Sequence, residues 1–116
     1  MSAIPAGNRR TVLTRSEGLC ERCAAWLANT PADIHHRRPR RMGGTTNPEI
    51  HQPANLVVVC RTCHRWIEEN RQLALEQGWL ISQHDTREPY EIPIYTHGSW
   101  YLINLEWHPY DFTIPF

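Results

Sequence analysis

The sequence predicts a small α+β fold: a strand–loop–strand–helix (ββα) unit stapled by a four-cysteine metal site, with a short N-terminal helix and a C-terminal β-hairpin. Three observations carry this. Two Cys-x-x-Cys pairs, Cys20/Cys23 and Cys60/Cys63, have the spacing of knuckles that close on a tetrahedral metal. The run Asn55–Cys60 is strongly β-branched, and the stretch before it cannot hold a central strand, because it contains Pro39, Pro48, Pro53 and the pair Gly43–Gly44. After the run, Trp66, Ile67, Leu73 and Ala74 recur at helical spacing as far as Gly78.

Taken in order, residues 1–8 read as a flexible start, and Asn8–Glu17 as a short helix with Val12 and Leu13 as apolar contacts, stopped by Gly18. Leu19–Cys23 makes the first knuckle, with Trp26 and Leu27 as packing residues beyond it. Ala32–Arg37 is a strand ended by Pro39, the segment from Arg38 to Ala54 a loop, and Asn55–Cys60 the second strand. Thr62 is placed to cap the following helix, which Gly78 closes. Trp79–Ile81 can start a further strand, and Tyr90–Tyr95 with Ser99–Trp107 form a hairpin turning near His97–Gly98. The organisation expected is a core domain over residues 9–78 and a β-rich, aromatic extension over 79–116.

With 116 residues the chain fits one small domain, whose modest core would gain from a metal staple. No run approaches the roughly 18 apolar residues of a membrane span, and the start lacks a signal-peptide core, so an intracellular, soluble protein without membrane contact is expected. The formal charge is zero but lopsided: through residue 65 there are ten arginines against Glu17, Glu21, Asp33 and Glu49, and beyond it Arg71 and Arg87 against eight acids. The basic half also holds the Cys/His cluster, which points to a polyanionic partner there.

Four cysteines in an intracellular chain fit a closed structural zinc site better than disulfides, although a redox pair at either Cys-x-x-Cys is the alternative. His64 falls in the first turn of the predicted helix, and Glu68 projects from the same face four residues on. Glu68 is either a further metal ligand or a solvated helix glutamate. Asp33 shares a strand face with His35 and could bond a ligand imidazole, a strand-edge role being the alternative. Arg37, Arg38, Arg40 and Arg41 crowd the loop beside the paired histidines, where guanidinium forks suit phosphate oxygens; Arg61 is a weaker candidate for the same task.

The order Cys20-x-x-Cys23, His35-His36, Asn55-Leu56-Val57-Val58-Val59, Cys60-x-x-Cys63-His64 resembles the HNH endonuclease family and its ββα-metal active site, over roughly residues 9–78. The resemblance implies metal-dependent hydrolysis of DNA phosphodiester bonds. By it, His35 and His64 bind one catalytic divalent ion (Mg2+, Mn2+, Ni2+ or Zn2+), His36 is the general base, and Asn55 ties the loop and orients that base. It also extends to small free-standing bacteriophage HNH nucleases, some of which assist genome packaging beside terminase, in the cytoplasm of a bacterial host. A monomer or weak oligomer is expected. The rival reading is a zinc-stapled DNA- or protein-binding module that no longer cleaves. The aromatic tail (Trp100, Tyr101, Trp107, Tyr110, Phe112, Phe116) is either core and oligomer contact or a docking surface.

Overall fold

Strand β2, Leu56–Cys60, is buried at every residue, which explains its unbroken apolar run. A computed structural model describes residues 4–28, 30–39 and 48–110. β2 pairs antiparallel with β1, Ala32–His36, in a register that sets His35 opposite Val57 and His36 opposite Leu56. One face of β2, Val57 and Val59, packs with Cys20, Ile67, Ala74, Trp79, Ile94 and Ile103; the other, Leu56 and Val58, packs with Val12 and Ile34. The larger cluster therefore spans both the ββα unit and the C-terminal strands.

Helix α1, Ala6–Ser16, begins two residues before the expected Asn8. It ends through two left-handed residues, Glu17 and Gly18. Val12 is fully buried, but Leu13 faces outward, because a helix this short presents only one stripe to β2. Trp26 is also a correction: it is 65% exposed, lying over Gly18 rather than in the core, while Leu27 packs against both clusters. Two 3-10 turns, Pro48–His51 and Pro53–Asn55, occupy the end of the segment read as loop.

Helix α2 covers Arg61–Glu69, capped by Cys60 and not by Thr62: the Cys60 thiol accepts from the Cys63 N–H, leaving Thr62 inside the first turn. The single helix expected to reach Gly78 breaks at Asn70 (φ −122°, ψ 52°), whose side chain donates to the Trp66 carbonyl. It resumes as α3, Arg71–Glu76, with Ala74 inward and Leu73 outward, against expectation. Gly78 has φ +82°, and a side chain there would collide with the Pro93 carbonyl. Trp79–Ile81 forms no strand; it is a buried connector whose Ile81 N–H bonds the Arg37 carbonyl.

The C-terminal part is a three-stranded antiparallel meander of β3 (Ile94–Thr96), β4 (Ser99–Ile103) and β5 (Trp107–Pro109). His97 (φ 50°) and Gly98 (φ 78°) form the two-residue turn between the first two strands. The expected first arm is shorter because Pro89–Glu91 is a 3-10 turn. The expected second arm reverses at Asn104–Glu106 to give a third strand. Trp107 packs on the large core cluster, and its indole donates to Glu21 (2.6 Å). Glu21 accepts two parallel bonds from one guanidinium edge of Arg15, Nε and Nη2 (2.8 Å each), and accepts from the Val58 N–H. One buried carboxylate thus joins α1, the first knuckle, β2 and the meander. Phe112 and Phe116 lie outside the described residues.

Candidate metal and catalytic site

The four cysteines converge, each offering a sulfur within 4.8 Å of the others. The Cys23 and Cys60 sulfurs are 3.9 Å apart, close to the about 3.8 Å edge of a tetrahedron with Zn–S of ~2.3 Å. Backbone N–H groups already point at the thiols, Cys23 and Cys60 at Cys20 Sγ and Cys63 at Cys60 Sγ. Burial pushes the Cys63 and Cys23 thiols up. At Cys20 the effect of burial is outweighed by the N–H groups of Cys23, Cys60 and Arg22, and the thiol is held below its ordinary value. Such a donor set needs a cation to keep four thiolates together. Arg22 contributes positive charge, with Nη1 3.3 Å from Cys63 Sγ and its guanidinium 3.8 Å over the Trp66 ring. All four cysteines are free of disulfides, and the cluster has the chemistry and geometry to hold a metal such as zinc.

A second group lies where β1 meets α2. Ligand atoms of His35, His64 and Glu68 fall within 4.8 Å of one another. Burial holds the His35 imidazole down to about 4, so the ring is neutral at pH 7. Its Nε2 lies 2.9 Å from the Trp79 carbonyl and must donate there, which puts the lone pair on Nδ1. His64 Nδ1 lies 3.0 Å from Asp33 Oδ2 and, donating to it, leaves Nε2 as the acceptor, 3.7 Å from Glu68 Oε1. Asp33 also pairs with Arg61 at 3.4 Å. Both imidazoles are thus fixed by a bond on the far nitrogen, as metal-binding histidines commonly are. The bound group would be a divalent cation. His64→Ala should then lower the affinity for an added divalent ion at least tenfold, with Glu68→Ala giving a smaller loss, read by calorimetric titration after the cysteine site is filled. Equal losses would make Glu68 as strong a ligand as His64.

His36 points to the opposite face of β1, as strand alternation requires. Its Nε2 is 3.2 Å from Nδ1 of His51, a buried histidine that no sequence pattern marks beyond its residue type. Asn55, also buried, spans the same region. Its Oδ1 accepts from the Arg38 N–H (2.8 Å), and its Nδ2 donates to the carbonyls of Ile50 (2.9 Å) and Arg38 (3.3 Å).

Among the arginines, Arg37 is a correction. Its side chain is fully buried and donates to the carbonyls of Gly78, Ala54, Pro89 and Ile92 at 2.7–2.9 Å, so it cannot reach a phosphate. Strand parity held the clue, since Arg37 shares the inward face of His35. Arg38 is half-buried, with Nη2 on the carbonyls of Asp85 and Arg87. Arg61 is exposed. Arg40 and Arg41 lie outside the described residues.

A ββα unit with a cysteine cluster at its strand–helix junction and histidines on β1 and α2 defines a ββα-metal class of site. Residues 20–69 match the family model of the HNH endonucleases. No curated protein and no solved structure gave a significant match to the chain. Among the described residues no helix is long and apolar enough to cross a membrane.

Proposed function

We propose that this chain is a metal-dependent HNH endonuclease that hydrolyses phosphodiester bonds in DNA. The observation that carries the reading is the convergence of His35, His64 and Glu68 across β1 and α2, inside the segment that matches the family. His35 Nδ1, His64 Nε2 and a Glu68 carboxylate oxygen would hold one divalent cation, with Mg2+, Mn2+, Ni2+ and Zn2+ the candidates. When bound, that cation would offset negative charge developing on the phosphate and the leaving oxygen. His36 is the general base, because an imidazole titrates close enough to neutral pH to take a proton from an attacking water. Asn55 acts at a distance from the reacting atoms, fixing the backbone just after His36 through its three bonds to Arg38 and Ile50. Zinc at Cys20, Cys23, Cys60 and Cys63 is structural.

Arg61, at the exposed rim beside Asp33, and Arg40 and Arg41 of the basic loop would contact phosphates, with Arg38 contributing less because carbonyls already engage it. The same reading makes the protein a monomer or weak oligomer, a cytoplasmic enzyme of a bacterial host, encoded by a phage and acting in genome packaging beside terminase. Size and the HNH segment are the support for that biological setting.

The test uses protein carrying its cysteine-site metal and freed of other divalent ions. Supercoiled plasmid should be converted to nicked or linear product when at least one of the four ions is added, and should stay intact in chelator. Tight DNA binding without cleavage under every ion would instead support an inactive zinc-stapled binding module.

A further inference from the structure

We propose that His51 is a positioning residue for the reaction, holding His36 by a histidine–histidine hydrogen bond that selects which ring nitrogen of His36 faces the substrate. The inference rests on the reading of His36 as the general base. His36 Nε2 and His51 Nδ1 are 3.2 Å apart, with ring centroids at 5.3 Å and planes at 61°. A neutral imidazole has one N–H and one lone pair, so only one of the two rings can donate across this contact. If His51 donated, the lone pair of His36 would be spent on it and His36 would present an N–H to water. A base therefore requires that His36 donate through Nε2–H to His51 Nδ1, which leaves the lone pair on His36 Nδ1. His51 then takes the part of the third group that orients a catalytic base.

The surroundings are built for this. His51 ends the 3-10 turn Pro48–His51, and its ring is almost wholly buried, 3% exposed, although nothing in the zinc or cation sites uses it. Two side chains from different elements pin that turn: Asn8 of α1 donates to the His51 carbonyl at 2.8 Å, and Asn55 donates to the neighbouring Ile50 carbonyl at 2.9 Å. Asn55 also bonds both backbone groups of Arg38, two residues beyond His36. One buried amide thus sets the two chain segments that carry the pair, on opposite sides of the contact. Burying a polar ring costs free energy unless it is bonded, and the contact with His36 supplies one such bond.

The test combines a tautomer measurement with kinetics on the zinc-loaded protein. Long-range proton–nitrogen correlation spectra at mildly alkaline pH should show His36 protonated on Nε2 and not on Nδ1. His51→Leu should abolish that preference and lower kcat by about 10–100-fold, with KM, zinc content and divalent-ion affinity within about twofold of wild type. His51→Asn, whose Oδ1 can stand near the place of Nδ1 as acceptor, should restore the tautomer and most of kcat. In a His36→Ala background, His51→Leu should cost nothing further, since it acts through His36. A wild-type His36 carrying its proton on Nδ1 would overturn the proposal, as would a folded His51→Leu with undiminished kcat or a loss shared equally by metal affinity. If His51→Leu does not fold, the wild-type tautomer and the His51→Asn rate decide. Absence of cleavage by the wild type, or full activity of His36→Ala, would sink the nuclease reading itself, whereas the tautomer measurement judges the histidine pair without any turnover.

Discussion

Cys60→Ser should lose its zinc and, with it, the fold. Cys60 has three tasks at once. It supplies a thiol to the four-sulfur cluster, caps α2 by accepting from the Cys63 N–H, and closes the ladder of β2 opposite Ala32. A structural zinc site in a small domain contributes on the order of 10 kcal/mol of folding free energy, as much as a whole domain of this size commonly retains. Serine is too hard and too short a donor to take the place of thiolate. The variant should show less than one bound zinc per chain, a melting transition lowered beyond about 15 °C or absent, and aggregation. Chelation of the wild type should reproduce the same melting behaviour. A Cys60→Ser protein that melts like the wild type with unchanged metal content would mean that the thiols hold no zinc.

Arg37→Met should also destabilise the fold strongly, although it removes no metal ligand. The Arg37 fork ties the end of β1 to the carbonyls of Ala54, Gly78, Pro89 and Ile92, and so joins four stretches of chain around one buried cation. Methionine fills much of the volume but leaves those carbonyls without their donor, at a cost of about 1–3 kcal/mol for each that water cannot reach. A total loss of about 3–5 kcal/mol is expected in denaturant titration with zinc in excess, so that the cysteine site stays filled in both proteins. Arg37→Lys should recover only part of it, because one ammonium cannot serve four separated acceptors. A change below about 1 kcal/mol for the methionine variant would remove Arg37 from the framework.

The parts of the fold that were legible are those in which local pattern and burial agree. The run Leu56–Cys60 is apolar throughout because α1 covers one face and α2 with the meander the other. The Cys-x-x-Cys pairs were legible because knuckle geometry demands that spacing. Elsewhere a tertiary partner overrode the local signal. The cap of α2 is a thiol, outside the usual set of capping side chains, so Thr62 looked the better candidate. The break at Asn70 has no glycine or proline to announce it; an asparagine side chain bonding back to Trp66 does the work. Arg37 sits in a run of arginines that reads as a solvated, phosphate-seeking face, and only the i, i+2 parity with His35 separates it from its neighbours. His51 stands in a proline-bounded stretch with no periodicity, so its meeting with His36 depends on how Asn8 and Asn55 fold that stretch back. The convergence of His35, His64 and Glu68 joins a strand to a helix about 30 residues later, and sequence spacing could suggest that set but not choose between Glu68 as ligand and as solvated side chain.

The central claim is that His36 moves the proton while His35 and His64 hold the cation. The most direct measurement is the single-turnover rate of plasmid cleavage by His36→Ala at saturating divalent ion, beside its zinc content and DNA affinity. The rate should fall by about 10²-fold or more, the usual worth of a general base, with zinc and DNA binding unchanged. Cleavage by His36→Ala at the wild-type rate would contradict the account.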